Sequence, residues 1–191
     1  MRLVSETHVQ ALVSALPADA RVVCSGNFAT PHHLLGLIDK TLESYRLYIL
    51  NAQVGIPERP GVVPETSFIG PGMRRSALLS YVPSRLSLVP LLFRSSLAPD
   101  LVVVHTSTPY EGTVSLGMEV NVLPAAIEAI RRRGGLVVAQ INPRMPFTYG
   151  DGVIATDQID VAIEVDEPLP SPAAVPIDEA SRQIGALVAA R

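Results

Sequence analysis

The sequence predicts an α/β fold in which helices cover both faces of an open, parallel-rich sheet. Residues 101–105 and 136–141 are continuous apolar runs, which are typical of strands buried on both faces. These runs alternate with helical patterns such as residues 124–133, where Ala126 and Ile130 share one face. Alternating strands and helices indicate right-handed crossovers, which bring the carboxyl ends of the strands to one edge of the sheet.

Capping residues and prolines predict where the helices before residue 100 begin and end. Ser5 is a suitable cap for a first helix, which Pro17 ends. Pro31 is suited to the start of a second helix, which runs to about residue 42. The other expectations are a strand over 21–24, a loop over 25–30, a strand over 46–50, irregular chain over 51–67, a short helix over 74–81, and a helix over 84–94 that Pro90 interrupts.

The remaining elements lead to the predicted domain organisation. After the first apolar run come a strand or hairpin arm over 114–119, the helix over 124–133, the strand over 136–141 and a last strand over 161–165. Residues 1–166 are then one α/β domain. Four prolines among Ser and Ala indicate a stiff, exposed linker over 167–176. Residues 177–191 are expected to form a further helix, with Ile184 and Leu187 along one side.

Composition limits the classes of function. A chain of 191 residues fits one domain. Its composition of 48% hydrophobic and 17% charged residues suits a buried sheet. It also suits a second apolar surface, which we expect to be covered in an oligomer or complex. No run approaches the roughly 18 apolar residues of a membrane span, and Glu6 comes too early for a signal peptide, so a cytoplasmic location is expected. A net charge of −3 argues against nucleic-acid binding.

Neither a disulfide nor a metal site is expected. Cys24 is single, so an internal disulfide is impossible. The four histidines and Cys24 show no metal-ligand spacing. A nucleotide-binding glycine fingerprint is also missing from the sequence.

The most informative segment is 141–151, in which an apolar strand leads into two prolines and a Gly-Asp pair. The prolines restrict the backbone as it leaves the sheet, so Asn142 is expected at the carboxyl end of the strand. Ligands bind at that edge of open α/β sheets, and an Asn offers a donor and an acceptor. The alternative is that Asn-Pro and Gly-Asp are ordinary loop residues with no role in binding.

Four segments in order resemble the N-terminal domain of the acetyl-CoA hydrolase/transferase family, which includes the 4-hydroxybutyrate and acetate CoA-transferases. They are Gly26-Asn27-Phe28-Ala29-Thr30-Pro31, then 68–74 (Phe-Ile-Gly-Pro-Gly-x-Arg), then 100–109 followed by Ser-Leu-Gly at 115–117, and finally Asn-Pro-x-Met-Pro with Gly-Asp over 142–151. The resemblance extends from about residue 12 to residue 169. It implies a CoA-transferase-like domain.

The resemblance also implies a chemistry. Family members move CoA between small carboxylic acids through a glutamyl-CoA thioester, and the nucleophilic Glu lies in a second domain. No Glu of this chain matches it, so no catalytic residue is assigned and the chain is expected to be inactive alone. The implied partners are acyl-CoA, a small carboxylate and a Glu-bearing second domain or subunit. Coenzyme A enters as a substrate, and no permanently bound cofactor is expected.

Three groups of residues are candidates for substrate binding by this resemblance. The loop Gly26, Asn27, Phe28, Ala29, Thr30 and Pro31 would line the acyl site, since backbone amides before a helix can face a carboxylate or an oxyanion. Asn142, Met145 and Pro146 would form the opposite wall; the alternative for Met145 is a packing role at the domain junction. Arg74 would point toward a substrate carboxylate, although a surface arginine after a turn is commoner.

Other functions stay open at this level. One alternative is a non-catalytic acyl-CoA-binding or scaffold module derived from the same domain. Another is a standalone hydrolase that uses His105 or Ser107, for which no base-orienting acid is evident. The sequence does not choose between transferase and hydrolase, because the two differ only in whether a carboxylate or water resolves the thioester.

Overall fold

The computed structural model describes residues 1–190, and an eight-stranded sheet with every pair parallel forms its centre. The predicted parallel-rich α/β fold is therefore confirmed. Its strands are β1 (Arg2–Leu3), β2 (Ala20–Cys24), β3 (Tyr45–Tyr48), β4 (Val62–Thr66), β5 (Ser80–Tyr81), β6 (Leu101–Thr106), β8 (Leu136–Ile141) and β10 (Val161–Glu164). A separate antiparallel hairpin pairs β7 (Thr113–Ser115) with β9 (Val153–Ala155), so the predicted arm near 114–119 is one strand of this hairpin.

The order of strands across the sheet is β1-β10-β8-β6-β2-β3-β4-β5. From β2 the chain proceeds outward through β3, β4 and β5. It then returns to the other side of β2 and proceeds outward through β6, β8 and β10. The strand order reverses between β2 and β6, and a reversal of this kind leaves a crevice at the carboxyl ends of the two strands.

Two helical layers cover the sheet, as predicted. The helices are α1 (Glu6–Val13), α2 (His32–Thr41), α3 (Val89–Leu92), α4 (Leu123–Arg131) and α5 (Glu179–Ala189). Alternate residues of each strand face opposite layers: Val22 packs in the core under α1 and α2, whereas Val23 packs in the core under α3 and α4.

Local chemistry accounts for the ends of several helices. The Ser5 hydroxyl accepts a hydrogen bond from the His8 backbone N–H at 3.3 Å, which caps α1 as predicted. After α4, Gly134 adopts a φ of +69°, a left-handed conformation that ends a helix at little cost for glycine.

Residues 51–67 are not wholly irregular, because β4 lies within them. The expectation was wrong because it rested on the polar, Gly- and Pro-containing composition of the segment, although a proline is tolerated at a sheet edge. β5 pairs only with Glu65 and Thr66, so at Pro64 that side of β4 is an open edge and needs no N–H donor.

The predicted helix over 74–81 is also wrong. The segment turns tightly at Gly70 and Gly72 and ends in the short strand β5. A Cβ on Gly72 would lie 2.2 Å from the Gln53 carbonyl oxygen, so the turn packs directly against the backbone that follows β3. This tertiary contact, rather than local propensity, sets the conformation.

The region 84–94 differs in detail from its prediction. A 3-10 turn over Leu86–Leu88 leads into α3, and Pro90 lies in the first turn of α3 instead of interrupting a longer helix. A proline costs little there because the first N–H groups of a helix have no partner within the helix. The short strands β1 and β9 were not predicted.

The chain after β10 leaves the sheet. Residues 165–178 contain no helix or strand, and α5 follows with every described residue exposed. Ile184, Leu187 and Val188 of α5 have 62%, 72% and 71% of their surface exposed.

Candidate functional site

The candidate site lies in the crevice between β2 and β6. Its first wall is the loop from Ser25 to Pro31, which joins β2 to α2 and includes a 3-10 turn over Asn27–Ala29. A Cβ on Gly26 would lie 2.1 Å from the Leu50 carbonyl oxygen, so the loop passes too close to the end of β3 for any other residue. Asn27 adopts a φ of +47°, the left-handed region that Asn tolerates better than most residues.

Buried side chains on β6 and β8 hold this loop. The Ser25 hydroxyl accepts a hydrogen bond from the His105 backbone N–H at 3.1 Å. His105 Nδ1 lies 3.2 Å from the Ala29 carbonyl oxygen, and its Nε2 lies 3.5 Å from Gln140 Nε2. Gln140 Oε1 accepts the Leu34 N–H at 3.0 Å. A neutral imidazole with its proton on Nδ1 is the one form that satisfies both ring contacts, because it donates to Ala29 and accepts from Gln140.

These contacts bear on the proposal that His105 is a base. Burial lowers the pKa of His105 to about 4. Ser107 does not partner it as a nucleophile: its Oγ donates to the Thr108 carbonyl oxygen and accepts the Ser115 N–H. The arrangement gives His105 a positioning role for the loop and provides no activated hydroxyl.

Three polar side chains from two other loops, Gln53, Glu119 and Asn121, lie beside Asn27. Gln53 Nε2, after β3, donates to Asn27 Oδ1 at 3.1 Å. Glu119 accepts a hydrogen bond from Asn121 Nδ2, and the side chain of Asn27 lies close enough to favour the charged form of Glu119. Glu119 is 5% exposed, and burial raises the pKa of its carboxyl. Within residues 1–190 no cation forms an ion pair with Glu119.

Asn142 lies at the carboxyl end of β8, as predicted, and is fully buried. Its Nδ2 donates to the Glu167 carbonyl oxygen at 2.9 Å, and its Oδ1 accepts the Arg144 N–H at 3.0 Å. Both ends of the amide therefore fix the chain that leaves the sheet. That a ligand also contacts Asn142 stays a prediction.

Met145 and Pro146 lie under the hairpin. Met145 is buried, and a Cβ on Gly117 would lie 2.2 Å from its sulfur. Gly117 adopts a φ of +62°, so the hairpin crosses Met145 at a point where only glycine fits. Pro146 is exposed. Met145 thus packs beneath Gly117, and a role for Met145 and Pro146 in a substrate wall stays a prediction.

Arg74 is exposed at the carboxyl end of the sheet, on a different loop from Asn27. Together with Arg75 and Glu58 it lines an open cavity of about 540 Å³. The turn that carries Arg74 packs on the Gln53 backbone through Gly72, so this cavity adjoins the loop that holds Asn27. The structure does not bring Arg74 together with Asn142 or Met145 in one cavity.

Sequence reasoning missed Gln53, Glu119, Asn121 and Gln140. The available signal was weak: Glu119 is an acidic residue between Met118 and Val120, at the end of the predicted strand or hairpin arm over 114–119. The distant loops meet only because β3 and β6 lie on either side of β2. In the described part of the chain, no three His, Cys, Asp or Glu residues form a metal-binding cluster. None of the described helices has the length and hydropathy to cross a membrane.

This chain has a parallel sheet with a glycine-containing loop where the strand order reverses. Open α/β domains bind their ligands at such a reversal. The family model of the acetyl-CoA hydrolase/transferase N-terminal domain matches residues 65–174, which is more than half of the chain. The chain therefore belongs to the acetyl-CoA hydrolase/transferase N-terminal domain family, as the sequence motifs predicted.

Characterised relatives are longer than this chain. It is 30% identical over 183 residues to the succinyl-CoA:acetate/propanoyl-CoA:succinate CoA transferase of Fasciola hepatica, a match that covers 89% of the chain and 37% of that relative. It is 33% identical over 108 residues to the 4-hydroxybutyrate coenzyme A transferase of Clostridium kluyveri, a match that covers 53% of the chain and 24% of that relative. The chain thus spans well under half the length of these relatives.

Solved structures agree with the fold. The 4-hydroxybutyrate CoA-transferase of Porphyromonas gingivalis superposes with a TM-score of 0.67 at 27% identity, over 90% of this chain and 41% of that one. RipA from Yersinia pestis superposes with a TM-score of 0.75 over 92% of this chain and 45% of that one. Identity to RipA is 20%, so that likeness concerns the fold alone.

Proposed function

We propose that this domain forms the acyl-site half of a CoA-transferase, which moves CoA between small carboxylic acids. The observation that carries the proposal is the loop from Gly26 to Pro31 at the strand-order reversal, in a domain of this family. The named relatives act on succinyl-CoA, acetate, propanoyl-CoA and 4-hydroxybutyrate, so the proposed acyl groups are small.

The proposed chemistry places the nucleophile in a second half, on the same polypeptide or on another. There a Glu carboxylate attacks the acyl-CoA carbonyl and expels the CoA thiolate, which leaves an acyl-glutamyl anhydride. The thiolate then attacks the glutamyl carbonyl, which releases the first acid and forms the glutamyl-CoA thioester. A second acid resolves this thioester by the same steps in reverse.

In this scheme the described domain binds and orients the acyl group. The loop after β2 lines the acyl site, with Asn27 held in place by Gln53. His105 and Gln140 position that loop from below. Precise positioning of the acid against the thioester is worth several orders of magnitude in rate.

A second candidate is a non-catalytic acyl-CoA-binding or scaffold module. It is supported by the sequence resemblance, in which no Glu of this chain matches the family's nucleophile, and by the buried Glu119, which accepts a hydrogen bond from Asn121. This candidate shares the binding site but predicts no turnover in any assembly. Whether a transferase would also hydrolyse acyl-CoA depends on water access to the thioester.

The two candidates differ in a CoA-exchange experiment. The native assembly would be purified from its source cells, its components identified by mass, and transfer of CoA from acetyl-CoA to labelled propionate measured. A transferase half gives no exchange alone and exchange with a Glu-bearing second half. Exchange by the isolated domain would overturn the division of labour, and binding without exchange in every assembly would favour the module.

A further inference from the structure

The cavity that Arg74 lines carries two arginines that the proposed acyl site does not use. It encloses about 540 Å³ between the loop after β3 and the turn after β4, at the carboxyl edge of the sheet. Arg74 and Arg75 line it from the turn, and Val54 and Ile56 line it from the loop. A cavity of this volume is large enough for a small-molecule ligand.

Backbone contacts fix the turn that carries the two arginines. The Gly72 N–H donates to the Ala52 carbonyl oxygen at 2.9 Å, and a Cβ on Gly70 would lie 2.3 Å from the same oxygen. Met73 is fully buried in the core under α1 and α2. The backbone beneath the arginines is therefore ordered before a ligand arrives, which lowers the entropy cost of binding.

Neither Arg74 nor Arg75 forms an ion pair with a carboxylate among residues 1–190. Most other arginines in this part of the chain do so; the Arg59 guanidinium, for example, donates to Asp39 at 2.9 Å. Glu58 lines the same cavity but pairs with neither Arg74 nor Arg75. The cavity thus holds two cations against one carboxylate, and its guanidinium donors are available to an anion.

Phosphate is the anion that this arrangement suits best. A guanidinium donates two parallel N–H bonds to two oxygens of a phosphate, and two adjacent guanidiniums match the multiple charges of a diphosphate. A single small carboxylate would occupy only one of them. Val54 and Pro71 give the cavity an apolar side, against which a ribose or a base can pack.

We propose that this cavity binds the phosphate groups of a ribonucleotide, and that the nucleotide end of coenzyme A supplies them. The inference rests on the proposed function, in which CoA is a substrate. The location favours this source: Gln53, whose side chain donates to Asn27 of the acyl-site loop, directly precedes Val54 of the cavity. The cavity and the acyl-site loop therefore lie on the same edge of the sheet, with the loop after β3 between them.

The test is calorimetric titration of the chain at neutral pH with CoA, ADP and pantetheine. CoA binds most tightly, ADP binds more weakly because it lacks the thiol arm, and pantetheine, which lacks the nucleotide phosphates, binds weakest. Arg74→Gln and Arg75→Gln each raise the Kd for CoA by about tenfold, since each removes a charge-assisted contact to phosphate. Both side chains are exposed, so neither change prevents folding.

Arg85→Gln is the matched control. Arg85 is also exposed and forms no ion pair in the described part of the chain, but it does not line the cavity. Its substitution leaves the Kd for CoA unchanged. The inference is overturned by an absence of CoA binding, by equal CoA affinity in wild type, Arg74→Gln and Arg75→Gln, or by pantetheine binding as tightly as CoA. ADP binding as tightly as CoA would assign the cavity to a free nucleotide and overturn CoA as the source.

The result separates this inference from the proposed function. CoA exchange with a Glu-bearing half whose KM for acyl-CoA is the same in wild type and Arg74→Gln keeps the transferase and removes the phosphate site. Arginine-dependent CoA binding without exchange in any assembly keeps the phosphate site and removes the transferase.

Discussion

His105 acts as a fixed hydrogen-bonding residue of the loop that lines the crevice. Its ring donates to the Ala29 carbonyl and accepts from Gln140, whose oxygen in turn accepts the Leu34 N–H. Protonation would put two donors face to face at His105 Nε2, so the network requires the neutral ring. The nearby His32 also disfavours the charged form of His105.

This requirement predicts acid sensitivity. In the folded chain the pKa of His105 is lowered from 6.5 to about 4, so between these values the unfolded chain binds a proton that the folded chain does not. The free energy of unfolding therefore falls as pH drops through this window, by up to about 1.4 kcal/mol per unit. Urea unfolding at a series of pH values measures this change in the free energy of unfolding. His105→Gln should have a shallower slope there, and an equal slope in both proteins would contradict the assignment.

Gly26 gives the second prediction at this scale. Gly26→Ala places a methyl group 2.1 Å from the Leu50 carbonyl oxygen, so the loop must shift and stability should fall by on the order of 2 kcal/mol. Gly36→Ala is the matched control, because Gly36 lies inside α2 with no atom within 4 Å of the added Cβ. That change should raise stability by about 0.5–1 kcal/mol. Equal effects at both glycines would show that the close approach is unimportant.

At the scale of elements, β2, β3 and β4 are joined by a buried ion pair as well as by their hydrogen bonds. Glu65 on β4, with a side chain 3% exposed, accepts from Arg21 at 2.7 Å and from Arg46 at 3.0 Å. This cluster helps to hold a strand containing a proline in the sheet: the side chains link β4 to its neighbour β3 and, beyond it, to β2.

Glu65→Gln should therefore destabilise the domain by roughly 3 kcal/mol or more, since it leaves the partly buried Arg21 without its carboxylate. Glu128→Gln is the control: Glu128 pairs with Arg94 and Arg132 at the surface, where loss costs about 0–1 kcal/mol. Chemical denaturation of both variants makes the comparison. A Glu65→Gln effect as small as that of the control would mean that the cluster contributes little to folding.

The elements that were predicted well from the sequence are strands in which apolar residues occupy successive positions. Residues 101–105 and 136–141 are apolar at each position because both faces are covered, and the structure has them as β6 and β8. β4 and β5 escaped prediction because their stability comes from Glu65 and from the packing of Gly70 and Gly72, which are contacts across the chain.

The candidate site divides in the same way. The loop from Gly26 to Pro31 is a contiguous motif and was found, whereas the cluster of Gln53, Glu119 and Asn121 has no local pattern. Gln53 and Asn121 are 68 positions apart along the sequence. They meet only once the order of the strands is known.

At the scale of the whole molecule, α5 is an amphipathic helix without a partner among residues 1–190. Ile184, Leu187 and Val188 form an exposed apolar stripe. We expect the proposed second half of the transferase to cover this stripe, since the relatives are more than twice as long as the chain.

Leu187→Asp should leave the unfolding free energy of the domain within about 0.5 kcal/mol of wild type, since the side chain is exposed. It should weaken association with the Glu-bearing half by at least about tenfold, because it charges an apolar interface. Ala186→Asp, on the opposite side of α5, is the control. Calorimetry measures the association of each variant with the Glu-bearing half. Equal affinities for the two variants would mean that the interface lies elsewhere.

In the proposed function, this domain provides an acyl site that works only with the glutamate of a second half. The most direct measurement is the mass of that second half after incubation with acyl-CoA, with and without this domain. We expect a covalent CoA adduct on its glutamate only when the domain is present, and loss of the adduct with Gly26→Ala. An adduct of equal yield without the domain, or none with it, would contradict the claim.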